Sequence, residues 1–156
     1  MFTSLDDYLS FLSTVNYVEF TKLMSPEEVI MSKQGSCHDQ AMLSLDVLQG
    51  LGYFPYAKFI IAVDEEDQGQ ETHSFVYFRN NRSWYWIENA WSEFQGVHQY
   101  SLYNDMIDAI MFAFGQRNPY VKLYIADLNP SEHTYGEDLQ TFVDICMNSA
   151  EEYKVR

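Results

Sequence analysis

Gln34-Gly35-Ser36-Cys37-His38-Asp39-Gln40-Ala41 is a glycine-led turn that runs straight into an apolar-striped segment, so it delivers Cys37 to the first turn of a helix. Unpaired backbone N–H groups and the positive end of the macrodipole gather there, and both favour S⁻ over SH. Ala41, Leu45 and Leu48, with Met42 and Leu51 beside them, give the helix its buried face, and Gly50 and Gly52 end it. Upstream, Ser25-Pro26-Glu27-Glu28 reads as a capped helix start that stops before Gly35, so Cys37 opens a new element. Leu5, Tyr8, Leu9, Leu12 and Val15 predict a first helix from Ser4 to near Asn16.

Downstream, Tyr56 to Val63 is β-branched and aromatic and reads as a strand. The acidic stretch Asp64 to Glu71 follows as a solvated loop and a candidate cleft rim. Thr72 to Phe78 and Ser83 to Ala90 read as a hairpin around Asn80-Asn81, a dipeptide that tolerates positive φ. In that register His73 stands opposite Glu88, Phe75 opposite Trp86 and Tyr77 opposite Trp84, on the face expected to lie under the Cys37 helix. Directly opposed Cβ atoms are roughly 4.5–5.5 Å apart, whereas a one-residue slip would put His73 and Glu88 on opposite faces. A helix over Tyr103 to Phe114, a strand over Tyr120 to Ala126 and a helix over Glu137 to Ala150 complete the chain. The expected architecture is α+β: a cysteine-bearing helix packed on a small antiparallel sheet, in one domain spanning residues 1–156.

The chain holds 23 acidic and 9 basic residues, a net charge of −14, which repels a phosphate backbone and argues against nucleic acid. That acidity serves solubility or draws a cationic peptide, amine or basic protein. No apolar run reaches the ~20 residues of a membrane span, and with no basic leader the protein is expected in the cytoplasm, free of membrane. Cys37 and Cys146 make neither a disulfide framework nor a zinc pattern, and neither a metal nor a cofactor is expected.

Thiol chemistry needs a thiolate, an imidazole to carry the proton and an acceptor to orient the imidazole; Cys37, His73 and Glu88 supply them in that order. The backbone N–H of Cys37 is a candidate oxyanion donor and Gln34 a second, with Trp86 and Trp91 as candidate substrate contacts. His38 is a poor base, because its helical position turns it about 100° from Cys37. Asn89 could orient the imidazole in place of Glu88, but strand alternation turns it away. Cys146 reads as core, and Glu93, His98 and His133 stand without an identified partner. The rival reading is a non-catalytic module gripping a peptide or protein with Trp84, Tyr85, Trp86 and Trp91.

Gly35 to Ala41, followed by Leu43, Leu48 and Gly52, resembles the G-x-C-x-D-x-A segment of the transglutaminase-like cysteine-enzyme superfamily. Thr72-His73-Ser74-Phe75-Val76 resembles its histidine strand, and Trp86-Ile87-Glu88-Asn89-Ala90 its W-x-x-D-x segment. The resemblance runs from about Gln34 to Trp91. It implies Cys37 as nucleophile, His73 as general base and Glu88 as the acid. The chemistry expected of the three is thiol attack on an amide or thioester, giving an acyl-enzyme resolved by water or by an amine, with a peptide, protein or amine as substrate. Two departures stand out: glutamate replaces the usual aspartate, and Ser74-Phe75 replaces a small or apolar residue before tryptophan. Gly-Ser-Cys also occurs in papain-like proteases, but their histidine lies much farther along the chain than His73 lies from Cys37.

Overall fold

The structure, a computed structural model, describes residues 1–66, 68–118 and 122–154. Asp67 of the acidic loop, and Tyr120 and Val121 at the start of the expected strand, lie outside the described residues.

In chain order the elements are α1 (Leu5–Leu12), β1 (Asn16–Tyr17), α2 (Pro26–Ser32), β2 (Gln34–Gly35), α3 (Cys37–Gly50), β3 (Pro55–Val63), β4 (Gly69–Asn80), β5 (Ser83–Glu88), β6 (Gly96–Tyr100), α4 (Tyr103–Arg117), β7 (Lys122–Asp127), α5 (Leu139–Met147) and β8 (Glu151–Glu152). Six strands form one antiparallel sheet in the order β6-β5-β4-β3-β7-β8. The short β1 and β2 pair in parallel on their own. The helix-on-antiparallel-sheet architecture expected from the sequence is the one observed.

The central strand β3 is buried on both faces, so Phe59-Ile60-Ile61-Ala62-Val63 reads as an unbroken apolar run rather than an alternation. Its side chains feed two cores. Phe59, Ile61 and Val63 join Val76 and Phe78 of β4 beneath α1, α2, α3 and α5, where Tyr8, Leu12, Val29, Ala41, Leu45, Leu48 and Phe142 pack. Ile60 and Ala62 join Phe75, Tyr77 and Trp86 on the other face, covered by Met106, Ile107, Ile110, Met111 and Phe114 of α4.

This division corrects the face assigned to His73 and Glu88. Phe75 and Trp86, which share their face, pack under α4, whereas Ser74 and Val76 point at α3. The hairpin register is also shifted. Asn80 pairs with Ser83 and Tyr77 with Trp86, so the turn is Asn81-Arg82, with φ of 50° and 70°. Both turn residues are left-handed, as a type I′ turn requires. The shift amounts to two residues, which preserves facing, so His73 and Glu88 become diagonal rather than direct neighbours. The aromatic cluster is divided by the same sheet: Trp84 and Trp86 lie on the α4 side, while Tyr85 stacks on Phe78 on the other.

Arg82 is a non-glycine residue held at positive φ, a conformation that favours glycine. Replacing it by Gly should stabilise the protein by about 0.5–1 kcal/mol. A loss of stability in urea unfolding would contradict the turn geometry.

Candidate active site

The first turn of α3 is built by the residues around Cys37. A Cβ at Gly35 would lie 3.1 Å from the Asp39 Cβ, a tight contact that a glycine avoids where β2 approaches the helix. Ser36 is the N-cap: its Oγ accepts from the Asp39 N–H at 3.3 Å. The Asp39 carboxylate answers by accepting from the Ser36 N–H and hydroxyl, both at 2.8 Å, and from the Met24 N–H at 2.8 Å. Asp39 is therefore a structural member of the motif, closing a capping box and tying down the α1–α2 connection. Gln40 donates to the Gly35 carbonyl at 3.0 Å and accepts from Asn89 Nδ2 at 2.8 Å, linking the helix to the chain just past β5.

β5 ends at Glu88, and its pairing with β4 begins only at Val76, so the early part of β4 has no β5 neighbour. A cavity of about 210 Å³ opens there, lined by Cys37, Thr72 and His73, by Ala90, Trp91 and Ser92 after β5, and by Tyr17, Glu71, Phe114 and Arg117. The sequence-predicted Cys37, His73, Glu88 and Trp91 come together at this place. Gln34 is exposed in β2 and is absent from the cavity wall among the described residues. Trp86 is 2% exposed and lies against His98 and Phe94, away from the cavity.

His73 Nε2 stands 2.6 Å from Glu88 Oε1, leaving Nδ1 for the thiol side. Glu88 Oε2 accepts from the backbone N–H groups of Asn89 and Trp91 at 3.0 and 3.1 Å, so neither oxygen is left bare in this buried setting. The Trp91 ring meets the imidazole edge-on, with centroids 5.4 Å apart. Burial opposes charge on the Cys37 thiol, but His38 and then His73 outweigh it and draw the thiol down to about 5. Burial likewise opposes the His73 cation; the Glu88 carboxylate, followed by Cys37, reverses this and lifts His73 to about 10. Between those limits the pair stands as thiolate and imidazolium, charged appropriately for nucleophilic attack.

A second Cys-His-Glu set makes the contrast. Cys146 Sγ lies 3.8 Å from His133 Nε2, and His133 Nδ1 lies 2.9 Å from Glu137 Oε2. Here burial, reinforced by Glu137 and Glu132, pushes the thiol up to about 12. Cys146 also sits at the C-terminal end of α5, where the macrodipole disfavours an anion. It is core, as expected, but His133 has a partner that the sequence reading missed, and His98 has one too, the Phe94 carbonyl at 2.6 Å. An i, i+4 spacing from His133 to Glu137 in a loop is too common a signal to have singled the pair out. Among the described residues, no group of three or more His, Cys, Asp or Glu side chains is arranged to hold a metal ion.

Because Asp39 accepts from two backbone N–H groups and a hydroxyl in the interior, Asp39→Ala should lower stability by about 2–4 kcal/mol. Thermal and urea unfolding would measure it, and a change below 1 kcal/mol would deny Asp39 its structural role.

A model of the transglutaminase-like domain family matches residues 5–112 of this chain. Among solved structures, LapG of Legionella pneumophila, EGTA-treated, is similar at a TM-score of 0.41 and 15% identity, covering 92% of this chain and 76% of that one; a likeness at that level bears on no residue's role. No curated protein matches the chain in sequence. The family match runs from α1 into α4 and takes in Cys37, His73 and Glu88 together with the elements that hold them. The chain belongs to the transglutaminase-like domain family.

Proposed function

We propose that this protein is a cysteine-dependent acyl-transfer enzyme, a peptidase, amidase or transamidase acting on an amide or thioester through Cys37, His73 and Glu88. The observation that carries this reading is the pairing of a lowered Cys37 thiol with a raised His73 imidazole on the wall of one cavity. Cys37 Sγ attacks the carbonyl carbon, and the C=O electron pair moves onto oxygen, where the Cys37 N–H is the candidate donor. Collapse of the tetrahedral species breaks the C–N or C–S bond, and the His73 proton passes to the leaving group. Neutral His73 then takes a proton from water or an acceptor amine as that nucleophile attacks the thioester, and release of the acyl group restores thiolate and imidazolium. Glu88 holds the ring orientation and stabilises its cation throughout. The compartment proposed is the cytoplasm, where reducing conditions keep a reactive thiol free.

The substrate class is a peptide, protein or amine, with cationic ones favoured by the net charge of −14. Glu71, the acid on the cavity wall, is paired with Arg117 at 2.7 Å and accepts from Asn118 at 2.8 Å, so the preference arises from the wider acidic field. The binding-module reading is weakened because its aromatic side chains are largely consumed in packing: Trp86 and Trp91 are buried, and Trp84 packs on Tyr77 and Tyr103.

Alkylation tests the thiolate. At pH 6 a thiol of pKa ~8.5 is about 0.3% ionised, so a thiol near 5 has roughly 300-fold more thiolate; its lower basicity costs roughly 30-fold in nucleophilicity. Cys37 should therefore react with iodoacetamide about tenfold faster than a model thiol at pH 6, with Cys146 spared. Its rate should stay flat to pH 8 while the model thiol's climbs. His73→Ala should raise the inflection of that profile, and Glu88→Gln should raise it less. A Cys37 profile that tracks the model thiol would overturn the enzyme reading.

The field argument makes a separate expectation. Raising salt from 0.05 to 0.5 M should lower kcat/KM several-fold more for Lys/Arg-rich peptides than for neutral ones. Equal salt dependence would leave the acidity as a solubility feature.

A further inference from the structure

We propose that His38 is a positioning residue that sets the separation of Cys37 and His73 by clasping β4 on both sides of His73. The inference rests on the reading of Cys37 and His73 as the working pair. His38 is 1% exposed, and its ring makes two hydrogen bonds: Nδ1 to Ser74 Oγ at 2.6 Å and Nε2 to Thr72 Oγ1 at 3.0 Å. Those hydroxyls belong to the residues immediately before and after His73, and strand alternation turns them to the α3 face while His73 takes the other. One peptide link thus joins the Cys37 backbone to a ring that holds both neighbours of His73.

The clasp is rigid for stated reasons. Phe20, Phe59 and Phe142 surround the ring, with centroids 5.8, 5.8 and 4.6 Å away, so an imidazole nitrogen that lost its hydroxyl would be stranded in apolar surroundings. Serine and threonine hydroxyls both donate and accept, so either tautomer satisfies both bonds. A sliding motion of α3 along β4, or a tilt of β4, breaks at least one of them. The geometry also gives a use to Ser74, whose polar side chain is buried beneath α3 and has no part in orienting His73 directly.

The test reads the pH profile of Cys37 alkylation by iodoacetamide in the full chain, beside thermal unfolding. The groups that face Cys37 across the cavity, His73, Glu71, Arg117 and Tyr17, are left untouched, and His38, which acts on the thiol from its own helix, keeps its ring; His38→Phe, read beside the hydroxyl variants, isolates that direct effect. Ser74→Ala combined with Thr72→Val removes both hydroxyls and leaves the His38 ring in place; it should raise the inflection by about one pH unit as the pair loosens. Thr72→Ser with Ser74→Thr keeps both hydroxyls and should restore the wild-type inflection. If the double variant does not fold, Thr72→Val alone, at a half-buried position, should give a smaller shift in the same direction. An unchanged inflection in a folded variant, with only the melting temperature lowered, would make His38 a structural tie and overturn the proposal. So would a shift in His38→Phe with none in the hydroxyl variants, because His38 would then act on the thiol only through its own direct contact and not through β4. A wild-type profile without a lowered inflection would instead remove the functional reading itself.

Discussion

Three ionisable side chains, Cys37, His73 and Glu88, lie within the interior, and everything around them answers the cost of keeping charge there. A buried ion pair is tolerated only when its remaining donors and acceptors are satisfied and its geometry is held. Glu88 meets this requirement by spending one carboxylate oxygen on the imidazole and the other on two backbone N–H groups. The anion is thereby fixed, the imidazole is drawn to its charged form, and that cation in turn helps hold the thiolate. The chain of dependence runs from the backbone just past β5 to the sulfur.

Glutamate in place of the aspartate usual in this family fits the observed register. His73 and Glu88 are diagonal across β4 and β5, a separation of roughly 7–8 Å between Cα atoms that a longer side chain spans more readily. The extra methylene also lets the second oxygen reach the N–H groups of Asn89 and Trp91. Because β5 stops there, those N–H groups are not consumed by the sheet ladder. The early end of β5 therefore does two things: it frees donors for Glu88, and it opens the edge of β4 where Cys37 and the cavity stand.

The helix start was legible because each of its residues carries a local signal: a glycine where a Cβ would crowd Asp39, an N-cap, a cysteine, an acid at N3 and a small residue on the buried stripe. The hairpin was legible in kind but not in register. Asn80-Asn81 is the better positive-φ pair by composition, yet the chain turns at Asn81-Arg82 and pairs Tyr77 with Trp86; both registers bury the same face, so the hydrophobic pattern does not distinguish them. The error spared the site because it was an even number of residues. Which helix covered which face was not legible, because α3 and α4 both offer apolar stripes and β3 is apolar on both sides. Edge strand β6 and the two-residue β1, β2 and β8 escaped notice for a different reason: they are mostly exposed, so burial left no pattern in them.

The two Cys-His-Glu sets show why residue identity does not decide chemistry. Each has an imidazole facing a sulfur and a carboxylate behind it. Cys37 sits at a helix N-terminus with two imidazoles acting on it, and its carboxylate lies beyond the histidine. Cys146 sits at a helix C-terminus, where Glu137 and Glu132 act on the sulfur itself. In the first set the negative charge reaches the sulfur only after being answered by a cation, and the thiol ionises. In the second, burial comes first and Glu137 and Glu132 add to it, so the thiol stays neutral. The charges that act on the sulfur, together with the end of the helix that carries the cysteine, separate a lowered thiol from a raised one.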